Sequence, residues 1–306
     1  MKHVIIHGLR RSGTTILWET LRSSKNLRCY DEPFHPNLAA GMHKNHKGTW
    51  TELEEFLSLN PSTSPEPIHP TEELKSDSSL AQVEWLGSLC ASHTPVVIDI
   101  VRGWNRAPAV HAECGEVLSV HLLRSPASWV AAHLLPTGAS TFRRRTAGAY
   151  RRFSFFRRRG FYDNYQYQTI IEAALEQNHH VFSYVSLSRK ELSAAPAYMK
   201  LLAFWWGANC TLAQRLAKEN GPWLTMTLEE FSRQPHEEVA RIRDAAGWDN
   251  PMVLTTAVRP VSPSFRANSP CWQEAGKRLG LPAILFDPLS SSTEGLRSVF
   301  EAGVAV

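Results

Sequence analysis

The stretch His7-Gly8-Leu9-Arg10-Arg11-Ser12-Gly13-Thr14-Thr15 carries the residue types that hold a phosphate. Two glycines let a turn bring backbone N–H groups close to an anion. Arg10, Arg11, Ser12, Thr14 and Thr15 add cations and hydroxyl donors beside them. The glycine spacing is that of a Walker loop with one departure: Thr14 stands where the lysine would be. An NTPase needs that lysine on its β- and γ-phosphates, so its loss argues against ATP or GTP hydrolysis. A smaller cradle fits instead, for one substituted phosphate with a cation close to its bridging oxygen. Arg11, just before Ser-Gly-Thr, is placed to be that cation.

Such a loop works only between a strand and a helix, and the flanking sequence supplies both. His3 to His7 is a β-branched run that predicts a buried strand. Thr14 to Ser24 has helical spacing, with Ile16, Leu17, Thr20 and Leu21 on one face. Further strands are predicted at Leu27–Tyr30, Pro95–Val101, Val117–Leu123 and Trp223–Thr227. Helices are predicted at Trp50–Leu59, Leu80–Ala91, Pro126–Leu134, Pro196–Glu219 and His236–Ala246, and near Trp272. This alternation predicts an α/β fold: an open, P-loop-like parallel sheet flanked by helices. The chain reads as a single domain, 1–306, with an irregular acceptor-side insertion at 36–79 and a basic segment at 135–162.

The loop Arg11-Ser12-Gly13-Thr14-Thr15 resembles the 5′-phosphosulfate loop of sulfotransferases, usually Lys or Arg followed by Ser-Gly-Thr-Thr. That resemblance implies the sulfotransferase fold and 3′-phosphoadenosine-5′-phosphosulfate as sulfuryl donor, with no metal. The family carries a second signature after a later strand, an Arg and then a Ser eight residues on, both on the 3′-phosphate. Here Val120 to Pro126 supplies Arg124 with Pro126 two residues later, but Ala132 stands at the serine position. Ser128, one helical turn earlier, is the candidate replacement, with His133 as the alternative. Leu202 to Asn209 resembles the family's Trp-to-Asn helix. Trp223 to Pro235 resembles a late strand ending in Tyr-Glu-Asp-Leu, although Leu228-Glu229-Glu230-Phe231 lacks the leading aromatic.

Sulfuryl transfer requires a base for the acceptor hydroxyl and neutralisation of the leaving oxygen. The resemblance implies a Glu after the second strand as base, which in Tyr30-Asp31-Glu32-Pro33-Phe34-His35 is Glu32. His35 is the runner-up. Arg102 follows a predicted strand, where ligands bind in open α/β sheets, so it is a candidate substrate contact with Trp104 as a stacking surface. A late Pro-broken loop, Arg259 to Ser269, resembles in character the family's basic loop over the 3′-phosphate, with Arg266 as its candidate.

Eight arginines lie between Arg143 and Arg159, interleaved with Tyr150, Phe153, Phe155 and Phe156. Such a run is a solvated basic face, a lid over phosphates, a dock for an anionic acceptor, or a membrane-surface contact. No nucleic-acid module accompanies it. The other readings of the whole chain are a nucleotide or nucleoside kinase and a non-catalytic anion-binding module of the same fold. For the kinase, Asp99 lies inside its strand rather than clearly at the end.

With 306 residues, 43% hydrophobic and 20% charged, the chain can bury a sizeable core, and its net charge of +4 suits an anionic ligand without demanding nucleic acid. Cys29, Cys90, Cys114, Cys210 and Cys271 show no metal-ligand or redox spacing. They read as reduced, mostly buried thiols of a cytoplasmic protein. No signal peptide or membrane span is recognised.

Overall fold

The computed structural model describes residues 2–24, 26–40, 48–106, 112–133, 167–219, 221–249, 258, 270–286 and 293–303. Arg266, the rest of the Arg259–Ser269 loop, and the arginine segment from Arg143 to Arg159 lie outside these described residues.

Five short strands form one wholly parallel sheet: β1 (His3–His7), β2 (Arg28–Asp31), β3 (Val96–Ile100), β4 (Val117–Leu123) and β5 (Trp223–Thr227). Their order is β2-β3-β1-β4-β5, so the strand that leads into the phosphate loop is central. Every residue of β3 and β4 is buried, which explains why both read as near-continuous apolar runs. Strands buried on both faces need helices on both faces, and the chain provides them.

On one face Val4, Ile6, Cys29 and Val97 pack against α1 (Thr14–Arg22) through Leu17, Trp18 and Leu21. The same cluster takes in Phe231 of α9 (Leu228–Arg233) and Val239, Ile242 and Ala246 of α10 (Pro235–Ala246). On the other face Ile5, Tyr30, Val96, Ile98 and Ile100 pack with Leu53 of α3 (Thr51–Leu59) and Trp85, Leu86 and Leu89 of α4 (Leu80–Cys90). α4 begins in a capping box: Ser79 and Gln82 exchange side-chain bonds with each other's backbone N–H. The short helix α2 (Pro36–Ala39) and a 3₁₀ turn at Pro70–Leu74 complete the segment that reads as irregular in sequence.

These elements belong to the first of two compact units, Met1–Leu123 with Leu212–Val261. The second comprises Arg124–Thr211 with Ser262–Val306. In it, α5 (Pro126–His133) and α6 (Tyr167–Glu176) share an aromatic cluster: the Trp129 and His133 rings lie 4.3 Å apart and Trp129 meets Tyr167 at 5.0 Å. The long helix α8 (Ala197–Lys218) follows α7 (Arg189–Ala194), and the chain leaves the second unit within α8, after Thr211. Trp205 and Trp206 of α8 both pack on Phe300 of α12 (Thr293–Gly303), and Trp272 of α11 (Pro270–Leu279) meets Tyr198 edge-on.

One expectation is corrected. Cys90, the last residue of α4, and Cys114, just before β4, form a disulfide with Cα atoms 5.2 Å apart. They are therefore not reduced thiols. Cys29 and Cys210 are buried and free. No helix among the described residues is long and apolar enough to cross a membrane.

Candidate functional site

The loop from Gly8 to Gly13 joins β1 to the N-terminus of α1 at the carboxyl end of the central strand. A Cβ at Gly8 would lie 2.7 Å from the Thr14 methyl and 3.0 Å from the Leu122 carbonyl, so only glycine lets the turn pass that close. Gly13 caps α1 with φ at 96°, a left-handed conformation that glycine adopts without strain. Arg11 adopts the same hand, φ 71°, although it carries a full side chain. Ser12 and Thr14 are buried, and Arg11 is exposed at the tip. The turn therefore sets an exposed arginine beside a helix N-terminus, whose first N–H groups have no partner within the helix, the setting of an anion cradle.

Glu32 follows β2 directly and is the second chain position at this end of the sheet with a strained backbone, φ 42°. Its N–H donates to the Asp99 carbonyl at 3.1 Å and its own carbonyl accepts from His35 N–H at 2.9 Å. Left-handed conformations in bulky residues cost energy and persist where surrounding structure enforces them, commonly at functional sites. Among the described residues only Arg11, Glu32 and Asn178 are non-glycine residues of this hand.

Behind Arg11 and Glu32 runs a buried chain of charges that sequence reading did not find. Glu73, fully buried on the Pro70–Leu74 turn, pairs with Arg10 of the loop. It also pairs with Arg102, just beyond β3, at 3.4 Å. Arg102 in turn reaches Glu32, Nε to Oε2, at 3.7 Å. The order is Arg10, Glu73, Arg102, Glu32, two cations and two anions. Burial raises the Glu73 carboxyl above its usual range, and the two guanidiniums pull against that shift. The turn bearing Glu73 is fixed by the loop after β3. Asn105 donates to the Leu74 carbonyl at 2.7 Å, and Arg106 donates to the Glu72 carbonyl at 2.6 Å and to Gln82 at 2.7 Å.

His35 caps α2: its Nδ1 accepts from the Asn37 N–H at 3.1 Å, and its ring lies 5.3 Å from Trp50. Trp104 is 1% exposed, with its ring inside the protein. Thr15 is half-buried on the first turn of α1.

Arg124 is the residue immediately after β4 and is half-buried; it opens the second unit. There the Ser125 hydroxyl sits 3.1 Å from that of Ser128 and accepts from the Ser128 N–H at 3.4 Å, capping α5. Ser128 is buried, as are Ala132 and His133. His133 stacks among Trp129 and Tyr167.

No protein-family model matches this chain, and no curated protein matches it. Among solved structures it is similar to the sulfotransferase domain from the Synechococcus PCC 7002 olefin synthase. The identity is 15%, the match covers 98% of this chain and 94% of that one, and the TM-score is 0.42.

Proposed function

We propose that this chain is a sulfotransferase that moves a sulfuryl group from 3′-phosphoadenosine-5′-phosphosulfate to an acceptor hydroxyl. The observation that carries the proposal is the loop itself. It is a glycine-pinched turn between the central strand and α1, with Arg11 exposed at its tip and Thr14 where a kinase would have lysine. Gly8 lets the turn pass against Thr14 and Leu122, and the left-handed Gly13 lets it close over Leu228 into the start of α1, which supports a phosphosulfate held by the loop.

In this reading the N–H groups of the loop and of the start of α1, with the Ser12 and Thr15 side chains, hold the 5′-phosphate. Arg11 neutralises the charge that develops on the bridging oxygen as the sulfur–oxygen bond breaks. Glu32 accepts the proton of the attacking hydroxyl, and Arg102 holds the Glu32 carboxylate in place. Arg124 and Ser128 are proposed to bind the nucleotide's 3′-phosphate and Arg266 to assist. The proposed acceptor is a glycan, a glycolipid or a small natural product, presented in the cytoplasm, and the arginine segment would favour an anionic or membrane-associated one.

The test is calorimetric titration with adenosine 3′,5′-bisphosphate, with magnesium-ATP as the comparison. Metal-independent binding that is lost in Arg11→Ala and in Arg124→Ala is the expected result. A preference for magnesium-ATP would make the chain a kinase. Bisphosphate binding without turnover on any hydroxyl acceptor would leave an anion-binding module.

A further inference from the structure

Asp31 and Asp99 are register partners on β2 and β3, the last and the second-to-last residues of their strands. Register partners of a parallel ladder project to the same face, and strands lie about 4.8 Å apart. Asp31 and Asp99 lie two residues beyond Cys29 and Val97, on the same face, which packs on α1, so the two carboxyls face each other beneath the start of α1. Asp31 is 3% exposed and Asp99 is fully buried.

No cation among the described residues compensates them. Among the described residues no ion pair involves either one. The groups that act on Asp31 are Glu32, Glu19 of α1, the Thr49 hydroxyl and Asp99. Those that act on Asp99 are Asp31, Glu32 and the Thr14 hydroxyl. Two arginines of this end of the sheet, Arg10 and Arg102, are held by Glu73 and Glu32. Beside the Thr49 and Thr14 hydroxyls, Asp31 Oδ1 and both Asp99 carboxyl oxygens make no hydrogen bond of ordinary geometry with a described residue. Two buried carboxyls that face one another with only hydroxyls beside them cannot both be bare anions, since uncompensated buried charges neutralise.

We infer that Asp31 and Asp99 share a proton across the β2–β3 ladder, and that this keeps the wall beside Thr14 from carrying two negative charges, so that the phosphate loop can take an anionic nucleotide. One proton lets one carboxyl donate to the other and removes one of the two charges. The direction of titration agrees: burial, then Glu32, pushes the Asp31 carboxyl up to about 7, and burial, then Asp31, raises Asp99 well above the ordinary range. Loss of the proton would place a second negative charge next to Thr14, repelling a bound phosphate through low-dielectric protein. The pair thus acts as positioning residues for the site, through Thr14, without touching the reacting atoms. The anion-binding half of this inference rests on the nucleotide reading above; the proton-sharing half does not.

Two measurements separate the halves. Infrared difference spectroscopy of the full chain at about pH 7 should show a carboxylic-acid C=O band that is absent from the Asp31→Asn/Asp99→Asn variant. Its presence in both, or in neither, overturns proton sharing whatever the chain binds. Calorimetry with adenosine 3′,5′-bisphosphate, from about pH 7 to about pH 9 and so above the ligand's own ionisation, should show affinity falling about tenfold in the wild type. In the double variant it should change by no more than about twofold. Equal pH dependence in the two proteins overturns the electrostatic role. The single Asp99→Asn variant, isosteric at the more buried position, serves where the double variant is unstable. No bisphosphate binding to the wild type at any pH overturns the nucleotide reading and the anion-binding half with it, while the infrared band still decides the proton.

Discussion

The guanidinium of Arg102 stands 3.7 Å from the carboxylate of Glu32, at the mouth of a turn whose own backbone is left-handed at Glu32. A backbone held in that conformation sets the carboxylate beside an arginine before any ligand arrives, and positioning of that kind is what a base for an in-line displacement requires. Glu32→Gln keeps the shape and removes the proton acceptor. With any acceptor that the wild type sulfates, turnover should fall by about 10²–10⁴-fold while bisphosphate affinity stays within about twofold. Near-normal turnover would take Glu32 out of the mechanism.

Glu73 is the anion against which two arginines are buried. Glu73→Gln leaves Arg10 and Arg102 close together without their common counter-charge. Breaking a buried ion pair from one side costs about 3–5 kcal/mol, and urea unfolding should report a loss of that size. Glu73→Asp, which keeps the charge, should recover part of it. A loss under about 1 kcal/mol in Glu73→Gln would mean that solvent reaches the network.

The left-handed conformation of Arg11 makes stability and binding separable at one position. An ordinary L-residue is strained there by about 1–2 kcal/mol and glycine is not, although glycine has more unfolded-state entropy to lose. Arg11→Gly should therefore be more stable than Arg11→Ala by about 1 kcal/mol in denaturant melts, yet both should lose bisphosphate affinity equally. If Arg11→Gly binds as well as wild type, the loop backbone alone holds the phosphate.

Much of this architecture is legible in sequence because it is local. Runs such as His3–His7 and Val117–Leu123 are apolar and β-branched, and the glycines of the loop stand at the spacing a phosphate turn needs. Asp99 also gives a signal, a lone acid inside an otherwise apolar strand, but its partner Asp31 emerges only from the β2–β3 register. Glu73 gives none. It sits in a Pro-Thr-Glu-Glu-Leu stretch that looks solvent-exposed, and what buries it comes from Arg10, 63 residues before, and Arg102, 29 residues after. Cys90 and Cys114, 24 residues apart, likewise carry no local pattern.

The Asp31 carboxyl gives a stability prediction with a definite sign. Its value in the fold, about 7, lies above the ordinary carboxyl range, so the folded chain binds more protons than the unfolded one between about pH 4 and about pH 7. The group therefore favours folding fully at low pH, and that contribution is lost as pH rises through about 7. Unfolding free energies measured at about pH 5 and about pH 8 should show a larger fall for wild type than for Asp31→Asn. Parallel changes in the two proteins would mean that Asp31 ionises in the fold as it does in the unfolded chain.

The Cys90–Cys114 bond closes a loop that contains all of β3, with Asp99 and Arg102 in it. Cross-linking a loop of that length restricts the unfolded chain and is worth about 3 kcal/mol. Thiol titration of the denatured, unreduced protein should count three free thiols out of five, with Cys29, Cys210 and Cys271 reacting. Dithiothreitol should then lower the unfolding free energy by about 3 kcal/mol. Such bonds persist in oxidising compartments, so a count of three in protein taken from its native source would set aside the cytoplasmic expectation. A count of five would mean that the two thiols stay reduced at this separation, and the reductant would then leave stability unchanged.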